Sequence, residues 1–105
     1  MAGWNSEVGI FKLIIDGDLE GVERILDKNP YQLEEKDHFR EGQTPIIYAA
    51  KHGKLSILKK LISLGANLDH QACGRNAWLG TALHSACYAG HIDCAEELVL
   101  AGAGP

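Results

Sequence analysis

Residues 84–94 read HSACYAGHIDC, and His84, Cys87, His91 and Cys94 form an H-x2-C-x3-H-x2-C string. Imidazole nitrogens and thiolate sulfurs are the donors that hold zinc in a tetrahedron, so these residue types suit a zinc site. A second string, DGDLEG at 16–21, starts like a calcium loop, with Asp16, Asp18 and Glu20 at alternate places and Gly21 at the sixth. Cys73 with His70 or His84 offers the pieces of a thiol nucleophile and its base. The terminal GAGP (102–105) has the glycine content of a phosphate-binding loop.

Most of these candidates fail on their own neighbours. In the calcium string, Glu23 takes a place that wants an apolar residue and Asp27 replaces the bidentate Glu at the end. Leu19, Val22, Ile25 and Leu26 instead lie at helical spacing, which predicts a polar turn with Asp18 or a neighbour as helix N-cap. GAGP follows a helical pattern rather than a strand. Cys73 has no third residue to orient its base and nothing nearby to lower its pKa. The expectation is a protein without a catalytic constellation or cofactor.

The elements that must position these side chains belong to one small domain, since 105 residues fit a single core. No apolar run approaches the roughly 20 residues that span a bilayer, and the acidic start lacks a basic n-region. Three cysteines without framework spacing argue against a disulfide-stapled secreted domain. The expected location is cytoplasmic, with the nucleus as the alternative, and no membrane partner. Ten Lys and Arg against fourteen Asp and Glu leave no basic surplus for phosphates, so no nucleic-acid partner is expected either. Charge is unevenly spread, with nets of −5 over 1–37, +4 over 38–68 and −3 over 69–105. Lys51, Lys54, Lys59 and Lys60 make the middle third a candidate site for an acidic segment.

The chain repeats itself. At an offset of 37, Thr44 falls on Thr81, Ala49 on Ala86, Gly53 on Gly90, Leu61 on Leu98 and Gly65 on Gly102. At an offset of 36, Ile10 falls on Ile46, Gly17 on Gly53, Leu19 on Leu55 and Val22 on Leu58. In the middle unit Thr44 is placed to cap a helix that starts at Pro45, and Gly53 to end it. A second helix with Leu55, Ile57, Leu58, Leu61 and Ile62 on one face follows, and Gly65 ends that. One such hairpin cannot bury its apolar face alone, so the units are expected to stack as a solenoid.

The stretches TPIIYAAKHGK…LKKLISLGAN and TALHSACYAGHIDCAEELVLAGA resemble ankyrin repeats, and the likeness covers about residues 8–103. It implies an all-α ankyrin-repeat solenoid of three helix-turn-helix units with β-hairpin-like finger loops, in one domain over 1–105. The units are about 8–36, 37–68 and 69–105, the first resembling an N-terminal cap. Ile46-Ile47 stands where Leu-His is usual, and Ala82 where Pro is usual. Both connectors are longer than the family's usual spacing, which draws attention to the fingers 37–43 and 69–80. Against this pattern His84 belongs to a helix start, Cys87 to the second paired small residue as a buried core thiol, and His91 to a turn. Cys94 opens a second helix, so the four should not converge on a metal.

The resemblance further implies a non-catalytic scaffold or adaptor that binds a protein or peptide through a concave groove and its fingers. Lys12, Tyr48, Lys51, Ser85 and Tyr88 fall on the first-helix face, and Phe39, Arg40 and Trp78 on the fingers. Aromatic beside basic side chains suggest an acidic, partly apolar partner surface. The alternative is a regulatory or substrate-recruiting ankyrin segment of a larger enzyme or signalling protein. Leu98, Val99 and Leu100 cannot all face one core at consecutive helical positions. The C-terminal end is therefore expected to be uncapped, open to further repeats or to self-association.

Overall fold

A computed structural model describes residues 9–36, 42–71 and 80–102. The fingers at 37–41 and 72–79, with Trp4, Cys73 and the terminal Gly104-Pro105, lie outside the described residues. Among the described residues six α-helices form three pairs: α1 (Ile10–Asp16) with α2 (Leu19–Lys28), α3 (Pro45–His52) with α4 (Leu55–Ser63), and α5 (Ala82–Ala89) with α6 (Ile92–Leu100). A short 3-10 helix, Pro30–Glu34, follows α2 where the sequence suggested only a connector. Its Leu33 packs against the core.

Each pair is joined by the same turn. Gly17, Gly53 and Gly90 sit in the left-handed region at φ 75°, 69° and 83°, a conformation that costs a side-chain-bearing residue roughly 1–2 kcal/mol. The next residue donates its N–H back over the helix end: Asp18 to Leu13, Lys54 to Ala49 and His91 to Ala86, each at 2.9 Å. The three turns thus share one backbone closure.

The first helices pack in a row, α1 on α3 and α3 on α5, while the second helices form a parallel layer of α2, α4 and α6. Small residues permit the close approach, with Ala82 and Ala86 of α5 fully buried beside Ala49 and Ala50 of α3. Ile57, Leu58 and Leu61 of α4 are fully buried, each contributing roughly 2–3 kcal/mol relative to exposure. The middle pair has neighbours on both sides, and every residue from Gln43 to Ala50 is buried.

The helix starts differ. Thr81 closes a capping box: its Oγ1 accepts from the His84 N–H at 3.4 Å while His84 Nδ1 accepts from the Thr81 N–H at 3.2 Å. Thr44 holds the same position but makes no cap bond, contrary to the sequence expectation. The matching third helical residue is Ile47, which has no acceptor to return, and its side chain is drawn into the core instead. Connectors are tied between pairs by Glu34 Oε2, which accepts from the Asn67 N–H at 2.7 Å, and by His70 Nε2, which donates to the Gly42 carbonyl at 3.0 Å. Among the described residues no helix is long and apolar enough to cross a membrane.

Gly53 carries a second constraint. A Cβ there would lie 2.7 Å from the His91 ring of the next pair, whereas among the described residues nothing lies within 4 Å of one at Gly90. Gly53→Ala should therefore destabilise by about 2–3 kcal/mol and Gly90→Ala by about 1–2 kcal/mol. Urea unfolding of both variants measures the difference.

Candidate functional site

The offsets of 36 and 37 align the first helices into two outward rows: Lys12, Tyr48 and Ser85, and Ile15, Lys51 and Tyr88. The structure separates them. In the first row only Lys12 is exposed, where its Nζ pairs with Asp16 Oδ2 at 3.2 Å one turn along α1. Tyr48 is 2% exposed, its ring centroid 4.7 Å from Phe11 and 5.7 Å from His52. Ser85 is buried as well. Both were expected on the binding face, and both instead lie under it, because α1 and α3 pack closely enough for the Phe11 ring to cover Tyr48.

The second row stays accessible. Tyr88 is 70% exposed, Ile15 is 43% exposed, and Lys51 is partly exposed between them in register. Ile15 was missed in the sequence, although the same offset that aligns Lys51 with Tyr88 points to it. Phe39, Arg40 and Trp78 lie outside the described residues. What the described residues offer is a surface of two apolar side chains flanking a lysine, with the Lys12–Asp16 pair at its edge.

The zinc-like string is dispersed by the fold. His84 is occupied in the capping box, and His91 lies against Gly53 at the turn. Cys94 is buried in the core, and Cys87 is exposed on α5. Among the described residues no three His, Cys, Asp or Glu side chains are grouped to hold a metal ion. The exposure of Cys87 corrects the expectation of a buried core thiol. Its counterpart Ala50 is buried because α5 covers it, and no described element covers α5 in turn. In the calcium-like string Asp18 caps α2, accepting from the Gly21 N–H at 2.9 Å, and Asp16 is engaged by Lys12.

Burial pushes the Cys94 thiol above its ordinary value of 9.0, and the neighbouring Asp93 carboxylate acts in the same direction. The thiol is thus held neutral. A raised folded-state value means this contribution to stability is complete below pH 9 and is lost as pH rises through the folded-state pKa.

The family profile described as "Ankyrin repeats (3 copies)" matches residues 10–105. Zinc finger CCCH domain-containing protein 24 of Oryza sativa subsp. japonica is 32% identical over 88% of this chain and 13% of its own length. Putative E3 ubiquitin-protein ligase XBAT35 of Arabidopsis thaliana is 36% identical over 91% of this chain and 20% of its own. Ankyrin repeat domain-containing protein 29 of Homo sapiens is 44% identical over 58% of this chain and 21% of its own. The chain thus spans about a fifth or less of the length of these relatives.

The two described cysteines should differ in reactivity. In native protein near neutral pH, iodoacetamide should modify Cys87 at least about 100-fold faster than Cys94. Mass spectrometry of the labelled peptides reads the ratio, and denaturant should abolish it.

Proposed function

The chain belongs to the ankyrin-repeat family, whose repeats are protein-interaction modules, and on that footing we propose that it is a non-catalytic scaffold or adaptor unit. Its partner is a protein or peptide that docks along the first-helix face and the adjoining fingers. The observation that carries this reading is the exposed row of Ile15, Lys51 and Tyr88 above a fully packed layer. A large aromatic held 70% exposed on a rigid helix costs the free protein apolar hydration and recovers it on docking. The rigidity comes from α3 and α5, so little ordering entropy is lost on binding.

Charge narrows the partner. The segment 38–68 has a net of +4 while both flanks are acidic, so an acidic segment is drawn to the middle pair and repelled from the ends. Aromatic and aliphatic groups beside Lys51 favour a partner that alternates acidic with apolar residues. Phe39, Arg40 and Trp78, on the fingers, belong to the same proposed surface.

A second reading rests on length. The chain spans 13% of a zinc finger protein and 20% of a putative E3 ubiquitin-protein ligase among its relatives. In such a setting the unit would recruit a substrate or regulator for a larger enzyme or signalling protein. The docking face is the same in both readings, and the chemistry would belong to another part of the polypeptide.

Selection of a displayed random-peptide library against the immobilised chain tests the assignment. Recovered peptides should be acidic and contain apolar residues. Tyr88→Ala should weaken their binding about 10-fold or more and Lys51→Glu by several-fold, with unchanged circular dichroism. Lys59→Ala, on an exposed site of α4, should leave binding within about twofold. A decisive Lys59 with silent Tyr88 and Lys51 would move the site to the second-helix face.

A further inference from the structure

A groove of about 310 Å³ opens between the start of α1 and the 3-10 helix Pro30–Glu34. Gly9, Ile10 and Phe11 line one wall, and Tyr31, Gln32 and Glu35 the other. Both walls are anchored. Ile10 is buried in the core, the Phe11 ring packs on Tyr48 at 4.7 Å, and Leu33 ties the 3-10 helix to the same core. Tyr31, by contrast, is 69% exposed. A large aromatic held outward on an anchored element, beside an open groove, is apolar surface that gains from a cover.

The chain itself supplies one. Residues 1–8, which lie outside the described residues, run out from Gly9, and Gly9 is part of the groove wall. They read MAGWNSEV, with Trp4 five positions before Gly9 and the turn formers Asn5 and Ser6 directly after it. Five extended residues reach at most roughly 17 Å, so the indole cannot travel far from the groove. A reversal at Asn5-Ser6 brings it back over the wall from which the segment starts. The polar chemistry matches as well. A buried indole needs an acceptor for its N–H, and Gln32 and Glu35 carry side-chain oxygens on the opposite wall.

We propose that residues 1–8 form a strap that seats Trp4 in this groove against Phe11 and Tyr31, its indole N–H donating to Gln32 or Glu35. The contact lies within the chain and is separate from the docking row of Ile15, Lys51 and Tyr88. Its effect reaches that row through Phe11. A seated indole holds the Phe11 ring from one side while Tyr48 holds it from the other, and Phe11 is what covers Tyr48.

Trp4 and Trp78 are the two tryptophans of the chain, so Trp78→Phe leaves Trp4 as the sole reporter. Its emission in the folded protein should lie well to the blue of the same variant in urea, and it should resist acrylamide quenching. Emission and quenching equal to those in urea would put the indole in solvent and leave the groove to a partner, which overturns the proposal. A double-mutant cycle then assigns the seat. Trp4→Ala and Tyr31→Ala should each raise the unfolding constant, and the double variant should fall short of the product of the two effects by about threefold or more. Trp4→Ala combined with Leu100→Ala, at an exposed site of the third pair, should give the full product. A protected Trp4 whose effect simply multiplies with that of Tyr31→Ala sits elsewhere, and that result also overturns the assignment.

Discussion

A two-helix hairpin of about 20 residues has one apolar face too many for its own partner helix to cover, and every other feature of this structure follows from that deficit. The core is not enclosed by any single pair; it exists between pairs. Burial shows this directly. Equivalent positions 14, 50 and 87 are Ile, Ala and Cys, and the first two are sealed by the following pair while Cys87 is exposed. Leu26, Ile62 and Val99 show the same gradient, from buried through half-buried to exposed. Exposure here is decided by whether a neighbour lies on top, not by the hydrophobicity of the residue itself.

Close stacking constrains the chemistry of the contact layer. Ala49, Ala50, Ala82 and Ala86 keep the first helices near one another, and Gly53 leaves room for the His91 ring of the next pair. The middle pair departs from the third in a way that exposes a trade. Ile47 fills core volume where the third pair has His84, and the helix start loses its reciprocal cap. Thr44 Oγ1 and Gln43 Oε1 are left buried without hydrogen-bond partners among the described residues, a penalty on the order of 1–3 kcal/mol each. The apolar gain of a fully buried Ile is about the size of one such penalty.

Several residues with metal-binding potential are taken up by this architecture. His84 closes a cap, His91 covers a glycine, Asp18 starts α2 and Cys94 fills the core with its thiol held neutral. Lys12, Ile15, Asp16, His52, His84, Cys87 and Tyr88 remain exposed on the first helices, with Lys51 partly exposed among them. Function on such a scaffold is therefore a matter of surface: which side chains the stack leaves accessible, and in what order.

The local grammar was legible in the chain itself. Pro45 at a helix start, Gly17, Gly53 and Gly90 at turns, Asp18 as a cap and the spacing of Leu55, Leu58 and Leu61 are dictated within one turn of backbone, so the sequence determined helix count, order and family likeness. That Leu98, Val99 and Leu100 could not all be buried was also readable, because consecutive helical residues cannot face one side, and the structure exposes Val99 and Leu100. Other outcomes belong to the stack. Thr44 has the cap residue type and position, yet it makes no cap bond and its Oγ1 is buried without a partner among the described residues. Tyr48 and Tyr88 have the same residue type, and they differ by only one helical turn of register between units. One is sealed under Phe11 of the preceding pair and the other stands exposed. Contacts between residues some 36 positions apart decide that difference, and local periodicity carries no record of which side chain a neighbouring unit will place on top.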